Sequence, residues 1–226
     1  MAGAAFFDLD RTIISRSSSL SLAPAFYARG LLPRRDRLKA GLAQLIFIRY
    51  GAGTSRVGQT AESGMALLRG LTVETMREIV AGAVDSAFKP YVYAEALTLV
   101  ERHRERGERS LIVSAALQEV VDALASELGF DGGLGSTAEV EDGIYTGRLL
   151  QRLDGPAKAK AVTALAEEEG IDLNVSTAYS DSVSDVAFLE VVGRPVAVNP
   201  DRGLRLVAEE RDWRTLRFRE RAFQPS

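Results

Sequence analysis

Two acidic side chains close to the start of this chain are spaced for chemistry. The apolar run Ala4-Ala5-Phe6-Phe7 breaks abruptly into Asp8-Leu9-Asp10-Arg11-Thr12. Three other polar signals follow the same grammar. Ser114 comes directly after Leu111-Ile112-Val113, Lys158 lies at the start of a helix opened by Pro156, and Asp181-Ser182-Val183-Ser184-Asp185 follows Thr177-Ala178-Tyr179. Each has a plain structural alternative. Aspartate suits a helix N-cap or first turn, Ser114 would cap a helix beginning at Ala115, and Lys158 could be solvated. The inventory narrows what the group can do. The chain has no cysteine, and its one histidine, His103, falls in the charged segment Glu101–Arg109 and reads as a solvated helix end. Thiolate chemistry is excluded, and Ser-His-Asp catalysis and multi-histidine metal centres nearly so. Carboxylates, hydroxyls, lysines and backbone amides remain.

The elements that must position them read as an α/β protein. The runs ending at Phe7 and Val113 are continuous rather than alternating, the mark of strands buried on both faces. Ligands of such sheets bind beyond the carboxyl ends of the strands, where all four signals fall. Pro90 is read as opening a helix through about Glu105. Leu117, Val120, Val121, Leu124 and Leu128 form a helical stripe that Gly129 ends. Asp142-Gly143 marks a hairpin turn, and Pro156 to Glu169 a further helix. Ser176–Tyr179 and Pro195–Val198 are further strands. Strands alternating with helices of this length imply a Rossmann-like, mainly parallel sheet with helices on both faces. From Ser18 to about Phe88 the pattern turns helical and stays so, with Thr72 as an N-cap. We therefore expect an all-helical subdomain at 15–88 inserted into a core formed by 1–14 and 89–226.

With these residues in view, the chain resembles the haloacid dehalogenase-like phosphohydrolases, in their phosphoserine-phosphatase-like branch. Phe6 to Ile13 (FFDLDRTI), Leu111 to Ala115 (LIVSA), Gly155 to Lys158 (GPAK) and Tyr179 to Asp185 (YSDSVSD) stand as the four motifs. The resemblance implies a helical cap between the first two motifs and a Mg²⁺ cofactor. Its ligands would be the Asp8 and Asp181 carboxylates and the backbone carbonyl of Asp10. It makes Asp8 the nucleophile that forms an aspartyl-phosphate and Asp10 the general acid, then base. Ser114, Lys158 and the backbone amides of Leu9 and Ala115 would bind the phosphoryl group. Asp185 would orient Lys158 or the ion's water, with Thr12 supporting the site from behind. Lys160 is the rival to Lys158. A carboxylate at Asp10 favours a phosphatase over a dehalogenase, since halide leaves without a proton. A non-catalytic phosphate-binding protein is the bland alternative.

Substrate signals are weaker. Phosphoserine phosphatases carry a glutamate nine residues after the nucleophile, where this chain has Ser17. The position of their cap arginine falls on Gly64 here, and Arg56 or Arg69 could substitute. A phosphate monoester other than phosphoserine is the expectation, with phosphoserine the runner-up. The greasy run Leu42, Leu45, Ile46, Phe47 and Ile48, near Arg34, Arg35, Arg37 and Lys39, reads first as cap packing. It also leaves room for lipid-like or alkyl phosphates, or for contact with a membrane surface. Residues 15–88 hold 10 basic and 5 acidic residues, a balance of +5 against −8 elsewhere, which would draw an anionic substrate inward. The net charge of −3 argues against nucleic acid, and no apolar stretch reaches the ~20 residues that span a bilayer. A small phosphorylated metabolite in a cytoplasmic setting is the expected partner.

Overall fold

The computed structural model describes residues 2–31, 65 and 68–223. Among these residues seven strands form one sheet in the order β4-β3-β2-β1-β5-β6-β7. The strands are β1 (Ala4–Phe7), β2 (Arg109–Leu117), β3 (Gly133–Glu141), β4 (Ile144–Gln151), β5 (Thr177–Ser180), β6 (Arg194–Val198) and β7 (Arg214–Leu216). All pairings are parallel except β3 with β4. Strand alternation explains the two-sided burial. Ala5 and Phe7 enter one apolar cluster, with Ile112, Tyr179, Val196 and Val198. Ala4 and Phe6 enter the other, with Leu111, Val113, Ala178 and Ala197. Helices α4 (Ala94–Glu105) and α5 (Gln118–Leu128) cover the first face. Helices α6 (Pro156–Glu169), α7 (Val186–Glu190) and α8 (Arg202–Glu210) cover the second.

The inserted segment carries α1 (Ser18–Ser21), α2 (Ala23–Ala28) and α3 (Val73–Ala83), the last continuing into a π-helical turn, Val84–Phe88. Thr72 caps α3 as expected, accepting from the Thr75 N–H at 3.1 Å. The segment leaves and re-enters the core along neighbouring chains. Ser15 N–H donates to the Tyr91 carbonyl and Tyr93 N–H to the Ile13 carbonyl, both at 2.9 Å. Its far end is tied to the β3–β4 hairpin. Gly70 N–H donates to the Tyr145 carbonyl, Tyr145 N–H to the Leu71 carbonyl, and Val73 N–H to the Gly143 carbonyl. That hairpin turns at Asp142-Gly143, where φ values of 50° and 78° are the left-handed pair a two-residue turn demands.

Several sequence expectations shift. The helix expected from Pro90 begins at Ala94, because Pro90 belongs to a 3₁₀ turn, Lys89–Tyr91. Strand β2 runs past Val113 to Leu117, with its pairing to β3 interrupted between those residues. Ser114 is therefore no N-cap: it lies in the irregular end of a strand, and α5 starts four residues later. His103 is not solvated. It is 3% exposed, with Nδ1 donating to Glu108 at 2.5 Å and Nε2 at 2.8 Å from the Tyr179 hydroxyl. Two polar partners make burial of the ring affordable. The residues Gly64 and Arg56 and the run Leu42–Ile48 with its basic neighbours lie outside the described residues.

Candidate active site

Strand β1 stops at Phe7, yet the Asp8 N–H still donates to the Tyr179 carbonyl at 2.9 Å, which fixes Asp8 at the carboxyl end of the sheet centre. The chain then turns tightly. The N–H groups of Ile13 and Ile14 both reach the Leu9 carbonyl, and the Arg11 N–H reaches the Ile14 carbonyl. Arg11 takes φ 65°, a left-handed conformation uncommon for a residue with a side chain. This turn, rather than simple strand alternation, aims Asp10. Its carboxylate accepts from the Ser18 N–H at 2.9 Å, at the start of α1. The Asp10 carbonyl stays outside the hydrogen bonds that close the turn, and the Leu9 N–H donates none among the described residues.

Lys158 occupies the first turn of α6, and its Nζ donates to Asp8 Oδ1 at 2.5 Å and Asp185 Oδ2 at 2.7 Å. Lys158, Asp8, Asp181 and Asp185 are each at least 94% buried. Lys160 is exposed on the same helix, and the structure gives it no bond to these acids. Gly155 sets the approach of α6. Its φ of 46° is left-handed, and a Cβ there would stand 3.1 Å from the Ser184 carbonyl. Ser180, a residue of the fourth motif to which the sequence reading gave no role, donates to Asp185 Oδ2 at 2.7 Å. The bonds from Lys158 and Ser180 both fall on the same oxygen of Asp185.

Asp181 follows β5. Its carboxylate meets Arg11 Nε at 3.2 Å, and its carbonyl accepts from the Asp201 N–H at 2.8 Å. Asp201 was missed in the sequence. Its carboxylate receives the Val183 N–H at 3.1 Å and the Leu204 N–H at 2.7 Å, fastening the Asp181 loop to α8. The signal was available, since Asp201 lies just past the end of β6, as the other acids lie past theirs. Ser114 is buried beyond the segment of β2 that pairs with β1. Its Oγ accepts from the Ala116 N–H at 3.1 Å, which leaves its own O–H to donate. The Ala115 carbonyl is held by the Ser136 hydroxyl. Thr12 is fully buried with its hydroxyl unpaired and reaches none of the acidic groups.

Burial governs the proton affinities. It is the foremost cause raising Asp8 to about 7, against the lowering effect of Lys158. Burial also raises Asp10 to about 6, moderated first by the Ser18 N–H. Asp181 is pushed well above the ordinary carboxylate range, by burial and then by the Asp8 charge, so the two carboxylates lie close enough to repel. For Lys158 burial works downward, but Asp185 and then Asp8 outweigh it and its proton is held more tightly than usual. Asp8 Oδ2 and Asp181 Oδ1 carry no hydrogen bond among the described residues. Two mutually repelling carboxylates with free oxygens and a nearby carbonyl fit a hard divalent cation that keeps much of its water. No group of three His, Cys, Asp or Glu side chains able to hold a metal ion occurs among the described residues, so protein side chains alone would supply at most part of its shell.

The profile of the haloacid dehalogenase-like hydrolases matches residues 5–190. The chain belongs to that family. Among curated relatives, a Streptomyces azureus protein named for inhibition of morphological differentiation is 43% identical, over 95% of this chain and 78% of its own length. A probable phosphatase of Mycobacterium tuberculosis is 41% identical, over 95% and 75%. A protein of the same organism named phosphoserine phosphatase is 36% identical, over 97% and 72%. Among solved structures, a Bordetella pertussis protein of unknown function superimposes with a TM-score of 0.80 at 28% identity, covering 96% of this chain and 98% of its own.

Proposed function

We propose that this hydrolase is a Mg²⁺-dependent phosphatase that cleaves a small phosphate monoester through an aspartyl-phosphate on Asp8. The observation that carries the reading is the half-buried Asp10 carboxyl, held by the Ser18 N–H and near enough to Asp8 for its charge to bear on that group, with its own proton affinity raised to about 6. A group poised there can protonate a leaving alkoxide and later deprotonate water. In the first displacement an Asp8 oxygen bonds to phosphorus as the ester P–O bond breaks, and the Asp10 proton passes to the departing oxygen. In the second, Asp10 takes a proton from water as that water attacks phosphorus, and Asp8 is released with inorganic phosphate. Lys158 and the Ser114 hydroxyl face the charge on the equatorial oxygens, assisted by the Leu9 and Ala115 N–H groups. Held by the Asp8 and Asp181 carboxylates and the Asp10 carbonyl, Mg²⁺ would screen the repulsion between carboxylate and phosphate dianion. Residues 15–88 act as the cap over a core of 1–14 and 89–226, in a cytoplasmic setting that the cysteine-free composition suits.

The substrate class we favour lacks the phosphoserine head group. Ser17, which stands where that activity calls for an acid, is buried, caps α1 and offers no charge for an ammonium. Arg69 is exposed and spends its Nε on the Thr146 carbonyl, so it does not stand in for the cap arginine. The relative named phosphoserine phosphatase keeps that substrate as the second reading. The test is a panel of phosphorylated metabolites with Mg²⁺, including phosphoserine and a lysophosphatidate, run alongside Asp8→Asn on an activated aryl phosphate. Loss of nearly all aryl phosphate turnover is expected of the variant, and substantial residual turnover would remove Asp8 as nucleophile.

A further inference from the structure

On the sheet face that carries α4, a cavity of about 480 Å³ opens between the end of that helix and the edge strand β7. Its walls include Thr177 and Tyr179 of β5 and Arg194, Pro195 and Val196 of β6, and none of Asp8, Ser114 and Asp181 lines it. Three arginines line it: Arg106, Arg194 and Arg214. All three are exposed and none forms an ion pair among the described residues, a state that other surface arginines such as Arg102, Arg202 and Arg205 share; what distinguishes these three is that they meet around one concavity. Asp212 is the one acidic residue on the described wall. Glu108, nearby, is already engaged by His103. In a chain with net charge −3, three unpaired guanidiniums around one concavity are a local excess that calls for an anion.

We propose that this cavity is a second ligand site, separate from the catalytic pocket, for a small polyanion bearing phosphate or carboxylate groups. Its size suits a compact metabolite. Planar guanidinium forks bind either group bidentately. The floor is rigid, because the Tyr179 hydroxyl is tied to His103 and the Tyr179 ring stacks on Phe7 at 4.4 Å. The same floor touches the reaction. The Tyr179 carbonyl holds the Asp8 N–H, so a ligand resting on Tyr179 bears on the strand end that carries the nucleophile. The site is regulatory in position, and binding to it does not depend on the reaction assigned to Asp8.

Trp213, the chain's single tryptophan, lies on the cavity wall and reports its occupancy. The experiment titrates the full chain with pyrophosphate and, separately, citrate in metal-free buffer while following Trp213 emission. The two arms distinguish a phosphate from a carboxylate ligand. A saturable change with Kd below about 1 mM for at least one probe is expected. The double variant Arg194→Ala/Arg214→Ala should weaken it at least about tenfold without altering circular dichroism or unliganded aryl phosphate turnover. Arg194→Lys/Arg214→Lys, which keeps the charge and loses the forks, should fall between. Asp8→Asn should bind as the parent does. No saturable change with either probe, undiminished binding in the alanine variant, or loss of binding in Asp8→Asn would each overturn the site.

Discussion

Replacing Lys158 with alanine tests the electrostatic core of the site most directly. The ammonium is 3% exposed and shared between Asp8 at 2.5 Å and Asp185 at 2.7 Å, so its removal leaves two buried carboxylates facing one another without a cation. Breaking a buried pair from one side costs about 3–5 kcal/mol. At about 2–4 °C per kcal/mol for a chain of this size, the metal-free variant should melt about 6–20 °C lower at pH 8. The deficit must depend on pH. Asp8 is already raised to about 7, chiefly by burial, and Lys158 is the leading influence holding it down, so the variant's Asp8 rises further. A carboxyl raised above its unfolded value stabilises the fold at low pH and loses that contribution as pH climbs through the folded value. The gap between variant and parent should therefore be smaller at pH 5 than at pH 8. Turnover should fall about 100- to 1,000-fold, the usual loss on deleting one preorganised donor to a developing anion. Differential scanning calorimetry across pH, with a steady-state aryl phosphate assay, reads both. Lys160→Ala, an exposed change, should stay within about 0.5 kcal/mol and keep full turnover. Melting of Lys158→Ala within about 2 °C of the parent at pH 8 would refute the reasoning, as would Lys160→Ala proving the inactive variant.

The remaining expectations concern the acids and the backbone. Asp10→Asn should slow hydrolysis of alkyl phosphates more than of aryl phosphates, since only the former need a proton on departure; equal losses measured on a matched ester series would contradict the acid role. Because Asp8 takes up a proton below about 7, addition of 10 mM (about a saturating amount) MgCl₂ should raise the melting temperature more at pH 8 than at pH 5.5. Equal shifts would mean that the ion binds elsewhere. Gly155→Ala should cost about 1–3 kcal/mol in a denaturant melt, from left-handed strain and contact with the Ser184 carbonyl. It should also lower turnover by displacing the start of α6, and an alanine variant with parental stability would show that this turn is not strained.

Most of the candidate site's placement was legible because its signals are local. A run that breaks into an aspartate hints at a strand end, and Asp8 and Asp181 follow β1 and β5 directly, whereas Ser114 lies inside β2, which runs on to Leu117. Pro156 and the Asp142-Gly143 pair carry their own backbone preferences and marked their elements correctly. What failed was non-local. His103 reads as solvated within its charged neighbourhood, and only the fold brings the Tyr179 hydroxyl, 76 residues away, to its Nε2. Ser114 could serve as a cap or lie in a strand by propensity alone, and pairing of β2 with β3 decided between them. The path of Asp10 depended on Arg11 accepting a left-handed backbone, which no residue type announces. Ser180 and Asp201 were in plain view, yet their roles are to hold other residues in place, and such roles appear only with partners.

The inserted segment is joined to the core at two places. At the hairpin, three main-chain hydrogen bonds and the Arg69–Thr146 contact stitch the base of α3 to the sheet edge, and each would cost about 1 kcal/mol to break. Near Asp10, the crossing of Ile13–Ser15 with Tyr91–Tyr93 is a two-bond seam from which α1 and α2 project. Leu22 and Phe26 pack in one cluster with Met76 and Val80 of α3, and the Ser18 N–H at the start of α1 holds the Asp10 carboxylate, so the position of that carboxylate is tied to the inserted helices as well as to the end of β1.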